Sequence, residues 1–230
     1  MNILVFGPHP DDVEFGCAPV LIQEIERGNR VKIVVLSRGE AGTAGTPEAR
    51  EQEARAAAKL MGADIDFLDF GGDCHIARRP ENAIRLAAEI RMERPEIVLA
   101  PNPAGNQHPD HVAVSHLVRD ACRLARYGGL VEIHSLQPHK IGSLLFYNIT
   151  AHLGRTPDFV IDVSGATQKW EAVMRCHASQ VTAKSYLELQ LTAARALGLV
   201  IGTEMAIGLF ANDPVRIDDL SAVARSAREF

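Results

Sequence analysis

Short apolar segments recur along the first half of the chain, with segments typical of helices between them. Three of these are Ile3–Phe6, Val31–Leu36 and 97–101. Apolar runs that do not alternate with polar residues are typical of strands covered on both faces. Strands that alternate with helices pair in parallel through right-handed crossovers. The sequence therefore predicts an α/β fold: a doubly wound, three-layer α/β/α sandwich with a mostly parallel sheet.

The other elements follow from helix-forming composition and from the positions of Gly and Pro. Helices are predicted over residues 48–61, 80–93, 111–127, 166–178 and 183–197. Further strands are predicted over residues 64–70, 130–136, 144–148 and 159–163. After Val163 the chain is expected to be mainly helical, and this part either packs on the same domain or forms an oligomer contact.

Composition limits the function classes. With 230 residues, of which 47% are hydrophobic, the chain is expected to form one domain over residues 1–230. The net charge of −5 indicates neither a nucleic-acid partner nor an anionic membrane surface. The start of the chain has no basic segment and no long apolar run, and the four cysteines are scattered. These features predict a cytoplasmic protein without a disulfide framework.

Two segments rich in histidine and aspartate follow predicted strands. GPHPDD occupies residues 7–12, and HPDH occupies residues 108–111. Either segment alone is also typical of an ordinary turn or a capped helix start. The carboxyl ends of parallel strands, however, lie at one edge of the sheet, where α/β proteins bind ligands. The two segments are therefore predicted to meet over one metal ion.

The first candidate site is a three-ligand metal centre. His9, Asp12 and His111 provide two imidazoles and one carboxylate, which is a common ligand set for catalytic zinc with an open fourth position. A divalent ion there would acidify a bound water molecule and polarise a carbonyl group. Asp11, which lies beside these ligands, is the candidate general base.

The second candidate group provides the acid. His108 is predicted to donate a proton to a leaving amine or a hydrogen bond to a developing oxyanion, with Asp110 holding its ring. A base and an acid on either side of a metal site are the parts that amide or ester hydrolysis needs.

Three further residues are candidates for substrate binding. Glu40 lies in the Gly-rich segment 37–46, which is either a surface loop or a wall of the substrate crevice and does not match a phosphate-binding loop. Arg50 either holds sugar hydroxyls or a carboxylate, or pairs with Glu53 on its own helix. Asp73 follows a predicted strand and either faces the crevice or forms a turn.

The combined motifs resemble the LmbE/PIG-L family of metal-dependent N-acetylglucosaminyl deacetylases, and in particular its bacterial, bacillithiol-type branch. The residues that carry the resemblance are HPDD with residues 13–17, the stretch SRGEAGTAGTPEAR at 37–50, and HPDH. The resemblance implies a Rossmann-like sandwich and a Zn²⁺ or Fe²⁺ ion at the positions of His9, Asp12 and His111. It also implies the acid–base roles of Asp11 and His108 and sugar binding by Arg50.

The resemblance further implies the substrate and the assembly. The expected substrate is a small amino-sugar glycoside, such as N-acetylglucosamine joined to malate, and the expected assembly is a homo-oligomer such as a hexamer. Two departures affect substrate identity: Ala18–Val20 replace the usual Gly-Gly-Thr, and Met205 and Ile207 replace the usual Tyr and Glu. Alternatives are hydrolysis of another amide or ester, or a non-catalytic metal- or sugar-binding protein. The acid–base set argues against the binding protein.

Overall fold

The computed structural model describes residues 1–103, 108–149, 156–182 and 185–226. It contains seven strands: β1 (Asn2–Gly7), β2 (Arg30–Val35), β3 (Asp64–Phe67), β4 (Ile97–Pro101), β5 (Ser143–Tyr147), β6 (Phe159–Asp162) and β7 (Ala206–Ala211). These strands form one sheet in the order β3-β2-β1-β4-β5-β7-β6. All neighbouring pairs from β3 to β5 are parallel, and β7 is antiparallel to both β5 and β6. The prediction of a mostly parallel sheet is confirmed.

The described α-helices are α1 (Asp12–Gly16), α2 (Ala18–Glu26), α3 (Pro47–Met61), α4 (Pro80–Glu93), α5 (Pro109–Leu124), α6 (Thr167–Arg175), α7 (Ala178–Val181) and α8 (Tyr186–Ile201). Short 3-10 helices span Val131–Ile133, Ser164–Ala166 and Leu220–Val223. The helix predicted over 166–178 is divided into α6 and α7. The predicted start of the last helix, at residues 183–184, lies outside the described residues. No helix in the described ranges is both long and apolar enough to span a membrane.

Two hydrophobic cores lie on opposite faces of the sheet. Along β1, Ile3 and Val5 face the core under α2, α3, α6 and α8, whereas Leu4 and Phe6 face the core under α4 and α5. Both faces of this strand are therefore apolar, which explains its continuous run of hydrophobic residues. The C-terminal helices pack on the same sheet as the rest of the chain, and Trp170 Nε1 donates a hydrogen bond to the Glu14 carbonyl oxygen (2.8 Å).

One predicted strand is wrong, and one strand was not predicted. Residues 130–136 contain a 3-10 helix rather than a strand, because β4 already pairs with β1 and β5 and has no free edge. The carbonyl groups of Ile133 and Leu136 instead accept hydrogen bonds from the buried Arg91 guanidinium. Residues 206–211, in the part expected to be mainly helical, form β7, which fills the space between β5 and β6.

The sheet order places the two histidine motifs together. β1 lies between β2 and β4, so the connections that follow β1 and β4 diverge to opposite faces of the sheet. Open α/β sheets form their ligand crevices at such a point, outside the carboxyl ends of the strands. HPDD follows β1 and HPDH follows the connection after β4, and the loops after β2 and β3 reach the same edge.

Candidate metal centre

Asp12 joins the two histidines of the predicted ligand set. Its Oδ2 atom lies 3.0 Å from His9 Nδ1, and its Oδ1 atom lies 3.2 Å from His111 Nε2. All three side chains are buried. Two donors bound to one tetrahedral zinc ion, each about 2.0–2.1 Å from the metal, lie about 3.3 Å apart. The two observed distances are close to that separation but reach different Asp12 oxygens. The ligand atoms of His9, His111 and His108 also lie within 4.8 Å of one another, so the two predicted histidine ligands are close enough to reach one ion.

The electrostatics of the cavity also fit a cation. His9 Nε2 lies 3.0 Å from Asp73 Oδ1 and 3.1 Å from Asp110 Oδ2. Burial by itself would lower the pKa of His9, but the charge of Asp12 and hydrogen bonds with Asp110, Asp12 and Asp73 raise this pKa to about 12. Buried carboxylates are unfavourable unless a cation compensates them. Two imidazoles and one carboxylate suit Zn²⁺ and also Fe²⁺, so the donor chemistry indicates a divalent transition metal.

Asp110 contacts His9 more closely than His108, which corrects its predicted role. Its Oδ2 atom accepts a hydrogen bond from His9 Nε2 (3.1 Å) and one from the Cys74 backbone N–H (2.7 Å), and it lies 3.9 Å from His108 Nδ1. A carboxylate behind a metal-binding histidine is a common arrangement, because it fixes the ring and makes the facing nitrogen a better ligand. Asp110 supports His108 instead through its backbone N–H.

His108 presents an N–H group to the cavity. Its Nδ1 atom accepts a hydrogen bond from the Asp110 backbone N–H (3.2 Å) and thereby caps α5. The neutral ring must then carry its proton on Nε2, which lies 3.5 Å from Asp73 Oδ1. Burial and the positive charges of His9 and His111 lower the pKa of His108. This histidine is therefore poised as a neutral hydrogen-bond donor.

Asp11 is held by a buried arginine. The Nη2 atom of Arg50 donates hydrogen bonds to Asp11 Oδ2 (3.3 Å) and to the Pro10 carbonyl (2.9 Å), and its Nη1 atom donates to the Gly39 carbonyl (3.1 Å). Burial and the neighbouring Asp12 raise the pKa of Asp11 to about 7, although Arg50 acts in the opposite direction. Asp11 also has a φ of 102°, in the left-handed region, which strains a residue with a Cβ atom.

The alternative in which Arg50 pairs with Glu53 does not describe this structure. The Glu53 carboxylate accepts hydrogen bonds from the Ser179 backbone N–H (2.8 Å) and hydroxyl group (2.7 Å). Arg50 faces the cavity side of α3 and is 5% exposed. It lies on the cavity wall, and its polar contacts connect the loop after β1 to the Gly-rich segment.

Glu40 and Asp73 connect two loops at the cavity. The Glu40 carboxylate accepts hydrogen bonds from the backbone N–H groups of Arg38 (3.0 Å) and Asp73 (2.8 Å). The Asp73 carboxylate is buried against His9, which lowers its pKa. Both residues were predicted to contact the substrate. Asp73 instead belongs to a cluster of potential metal ligands with His9, His108 and Asp110, and Glu40 holds the Asp73 loop in place through the Asp73 backbone N–H.

The cavity has a volume of about 370 Å³, which suits a small molecule. Of the predicted site residues, its wall contains His9, Asp11, Asp12, Arg50, Asp73, His108 and His111, whereas Glu40 and Asp110 lie behind it. Sequence reasoning assigned no role to several residues of its wall, namely Phe15, Cys74, Ile149, Gln180 and Tyr186. Among them, Phe15 lies within residues 13–17, which follow the HPDD motif and belong to the stretch that carries the family resemblance. A larger groove of about 760 Å³ lies beside the start of β5, at the opposite edge of the sheet, and is lined by Arg119, Arg126 and Lys140 among others.

Comparisons with known proteins identify the family of this chain and the fold that it shares with solved structures. The family model described as "GlcNAc-PI de-N-acetylase" (PIG-L) matches residues 4–122, more than half of the chain. A diacetylchitobiose deacetylase of Thermococcus kodakarensis is 29% identical over 192 residues, which cover 78% of this chain and 70% of the relative. A 4-oxalmesaconate hydratase of Pseudomonas putida is 27% identical over 195 residues, which cover 78% and 74%. The conserved protein TT1542 of Thermus thermophilus superposes with a TM-score of 0.85 at 33% identity, covering 94% of this chain and 96% of that structure.

Proposed function

The chain belongs to the PIG-L (GlcNAc-PI de-N-acetylase) family, and on this premise we propose that it is a metal-dependent deacetylase of an N-acetylglucosamine derivative. The observation that carries the proposal is the placement of Asp11 and His108 on the wall of the cavity that also contains the His9–Asp12–His111 donor set. A binding protein would need the metal ligands but would have no need for a base and a neutral N–H donor beside them.

Asp11 is the base that acts on the attacking water molecule, beside the three residues that would hold the metal. A divalent ion held by His9, Asp12 and His111 would polarise the acetyl carbonyl group and acidify a water molecule. Asp11 takes the proton from this water as the water oxygen attacks the acetyl carbon. Because Arg50 contacts Oδ2 of Asp11, we assign the proton transfer to Oδ1. Arg50 thus holds the carboxylate in place while one of its oxygens accepts the proton.

His108 acts on the substrate oxygen. Its Nε2–H group donates a hydrogen bond to the acetyl oxygen as that oxygen becomes negative, a contribution of about 10²–10³ in rate for a donor of this kind. When the C–N bond breaks, acetate and the free amine form, and the departing nitrogen gains the proton that the water lost. This proton returns from Asp11, because the neutral His108 ring would become an imidazolate anion if it gave up its Nε2 proton. His108 therefore contributes the hydrogen bond to the substrate oxygen, and Asp11 serves first as the base and then as the acid.

The proposed substrate is a GlcNAc glycoside with a small polar group, such as GlcNAc-malate. The cavity volume and its polar wall support a monosaccharide-sized ligand. The residues that replace the usual Tyr and Glu do not affect the described cavity wall directly. Met205 is buried in the core, and Ile207 packs against the same core from β7.

We also propose that the chain forms a single domain, works in the cytoplasm and assembles as a homo-oligomer such as a hexamer. Light scattering coupled to size exclusion measures the assembly, and a monomer at working concentrations would contradict it.

An acetate-release assay tests the proposed reaction. The purified protein is stripped with a chelator, reloaded with one equivalent of Zn²⁺ or anaerobic Fe²⁺, and given GlcNAc-malate, free GlcNAc or diacetylchitobiose. We expect acetate and free amine in equal amounts from at least one substrate, only after reloading. Acetate at the same rate from the stripped protein would contradict the metal role, and no acetate from any of the three would contradict the substrate class.

A hydratase is the second candidate, because the Pseudomonas putida relative that carries this name matches over most of the chain. A base that removes a proton from water also serves the addition of water to a carbon–carbon double bond. Loss of ultraviolet absorbance from an unsaturated dicarboxylate, without release of acetate from amino sugars, would favour this candidate. Release of a carboxylic acid from another amide or ester would favour the same hydrolytic chemistry with a different substrate.

A further inference from the structure

We propose that Asp73, Cys74 and His108 form a second binding site for a soft divalent metal ion, beside the His9–Asp12–His111 set. An ion at this second site inhibits the enzyme. The inhibition rests on the proposed function, since it depends on His108 acting on the substrate, whereas the binding site itself does not.

The three donor atoms form a triangle of the size that zinc requires. Cys74 Sγ lies 3.4 Å from Asp73 Oδ1 and 3.7 Å from His108 Nε2, and these two atoms lie 3.5 Å apart. A tetrahedral zinc ion with a sulfur ligand at about 2.3 Å and nitrogen or oxygen ligands at about 2.0–2.1 Å separates its donors by about 3.3–3.6 Å. The thiol, imidazole and carboxylate donor atoms are therefore separated from one another as in a tetrahedral zinc site, and the backbone need not move for them to bind one ion.

Neighbouring groups hold this triangle in place independently of any ion. The backbone N–H of Asp73 donates to Glu40 Oε2 (2.8 Å), and the backbone N–H of Cys74 donates to Asp110 Oδ2 (2.7 Å). Asp73 and His108 also belong to a wider group of potential ligands, together with His9 and Asp110, whose donor atoms lie within 4.8 Å of one another. Cys74 is exposed, so an ion can reach the sulfur from solvent.

The chemistry of the donors selects the ion. Thiolate ligands favour Zn²⁺ and Cd²⁺ over Mg²⁺ and Ca²⁺, which prefer oxygen. Cys74 gives its thiol proton to solvent as the metal–sulfur bond forms. The Nε2 atom of His108 must offer its lone pair, so the ring proton moves to Nδ1 and the hydrogen bond from the Asp110 backbone is lost. Loss of this hydrogen bond makes the Asp73–Cys74–His108 site bind metal more weakly than the His9–Asp12–His111 site. The first equivalent of metal therefore fills the His9–Asp12–His111 site, and the second equivalent fills the weaker site.

Inhibition follows because His108 must use Nε2 to bind the ion. An ion on His108 Nε2 removes the N–H group that would otherwise donate to the acetyl oxygen, and it also occupies the cavity beside Asp73. The enzyme should therefore be active with one equivalent of metal and lose activity as a second equivalent binds.

Cadmium titration tests the site by a signal that does not depend on activity. Protein loaded with one equivalent of Zn²⁺ is titrated with Cd²⁺, while the thiolate-to-cadmium charge-transfer absorbance and total metal content are measured. Cys74→Ser is the test variant. Cys176→Ser is the matched control, because Cys176 is also partly accessible, whereas Cys17 and Cys122 are buried.

We expect the band to grow with the second equivalent in the wild type and in Cys176→Ser, and to be absent in Cys74→Ser. Loss of an outer-sphere partner costs about 10–100-fold in metal affinity, so loss of the sulfur ligand should raise the inhibiting Zn²⁺ concentration at least tenfold. An unchanged band in Cys74→Ser, or no second equivalent in the wild type, overturns the proposal. If no substrate is deacetylated, the charge-transfer band still shows whether Cys74 binds the second metal ion.

Discussion

Replacement of Arg50 by alanine should reduce both the stability and the turnover of this protein. The guanidinium group is 5% exposed and donates hydrogen bonds to two backbone carbonyl groups and to Asp11 Oδ2. Removing one partner of a buried ion pair costs about 3–5 kcal/mol in free energy of unfolding, because the other charge remains buried alone. In a chain of this size, each kcal/mol shifts the melting temperature by about 2–4 °C.

Thermal unfolding of Arg50→Ala, followed by circular dichroism, should therefore show a melting temperature lower by roughly 6–20 °C. The matched control is Arg55→Ala on the same helix, since Arg55 pairs with Glu51 at the surface. Exposed pairs of this kind contribute about 0.3–0.5 kcal/mol, so the control should melt close to the wild type. Arg50→Lys keeps the charge but loses the forked geometry of the guanidinium group, so its melting temperature should lie between those of Arg50→Ala and Arg55→Ala.

Kinetics separate the two roles considered for Arg50. If the arginine holds Asp11, Arg50→Ala lowers kcat, because the base loses its position and its charge compensation. If the arginine only holds sugar hydroxyls, the variant raises KM and leaves kcat unchanged. An Arg50→Ala variant that melts like Arg55→Ala and changes KM alone would refute the role of Arg50 in holding Asp11.

Three further substitutions test the metal centre and the base. Asp11→Asn should keep about one metal ion per chain and lose about 10²–10⁴ in kcat, because the amide cannot accept the proton; full activity would reject Asp11 as the base. His111→Ala should lose the metal by elemental analysis, whereas His116→Ala, on the same helix, should keep it; equal metal content in both would reject His111 as a ligand. Asp110→Asn should weaken metal binding about 10–100-fold in a competition assay with a chelator, since its carboxylate orients His9. An unchanged dissociation constant would assign Asp110 a purely structural role.

The sequence did not predict every strand of the sheet. Residues 130–136 were predicted as a strand although they include Glu132, His134 and Ser135, whereas the almost wholly apolar residues 206–211 were not, yet only the second segment forms a strand. The difference depends on which sheet edges remain free after the other strands have paired, and local sequence carries no information on this. β7 finds a place between β5 and β6, whereas β4 has neighbours on both sides.

Partners of the side chains were the least predictable feature of the site. Arg50 belongs to a helix where Glu53 is an obvious local partner, but the guanidinium reaches the loop after β1 instead. Asp110 is a neighbour of His108 in the sequence and binds the ring of His9, 101 residues away. Cys74 had no motif, and only the approach of its loop to His108 brings its sulfur into the proposed second site.

The amino-acid sequence by itself determined that β1 and β4 are buried parallel strands and that histidines and aspartates follow them. These features can be read from the sequence because an apolar run is a local property of the chain. The general rules for connecting parallel strands then place the residues that follow such runs at one edge of the sheet. Only the tertiary structure decided which nitrogen faces which carboxylate oxygen, since these contacts form where four separate loops meet at one edge of the sheet. Distances of about 3 Å between such loops depend on the packing of the whole sheet and both helical layers.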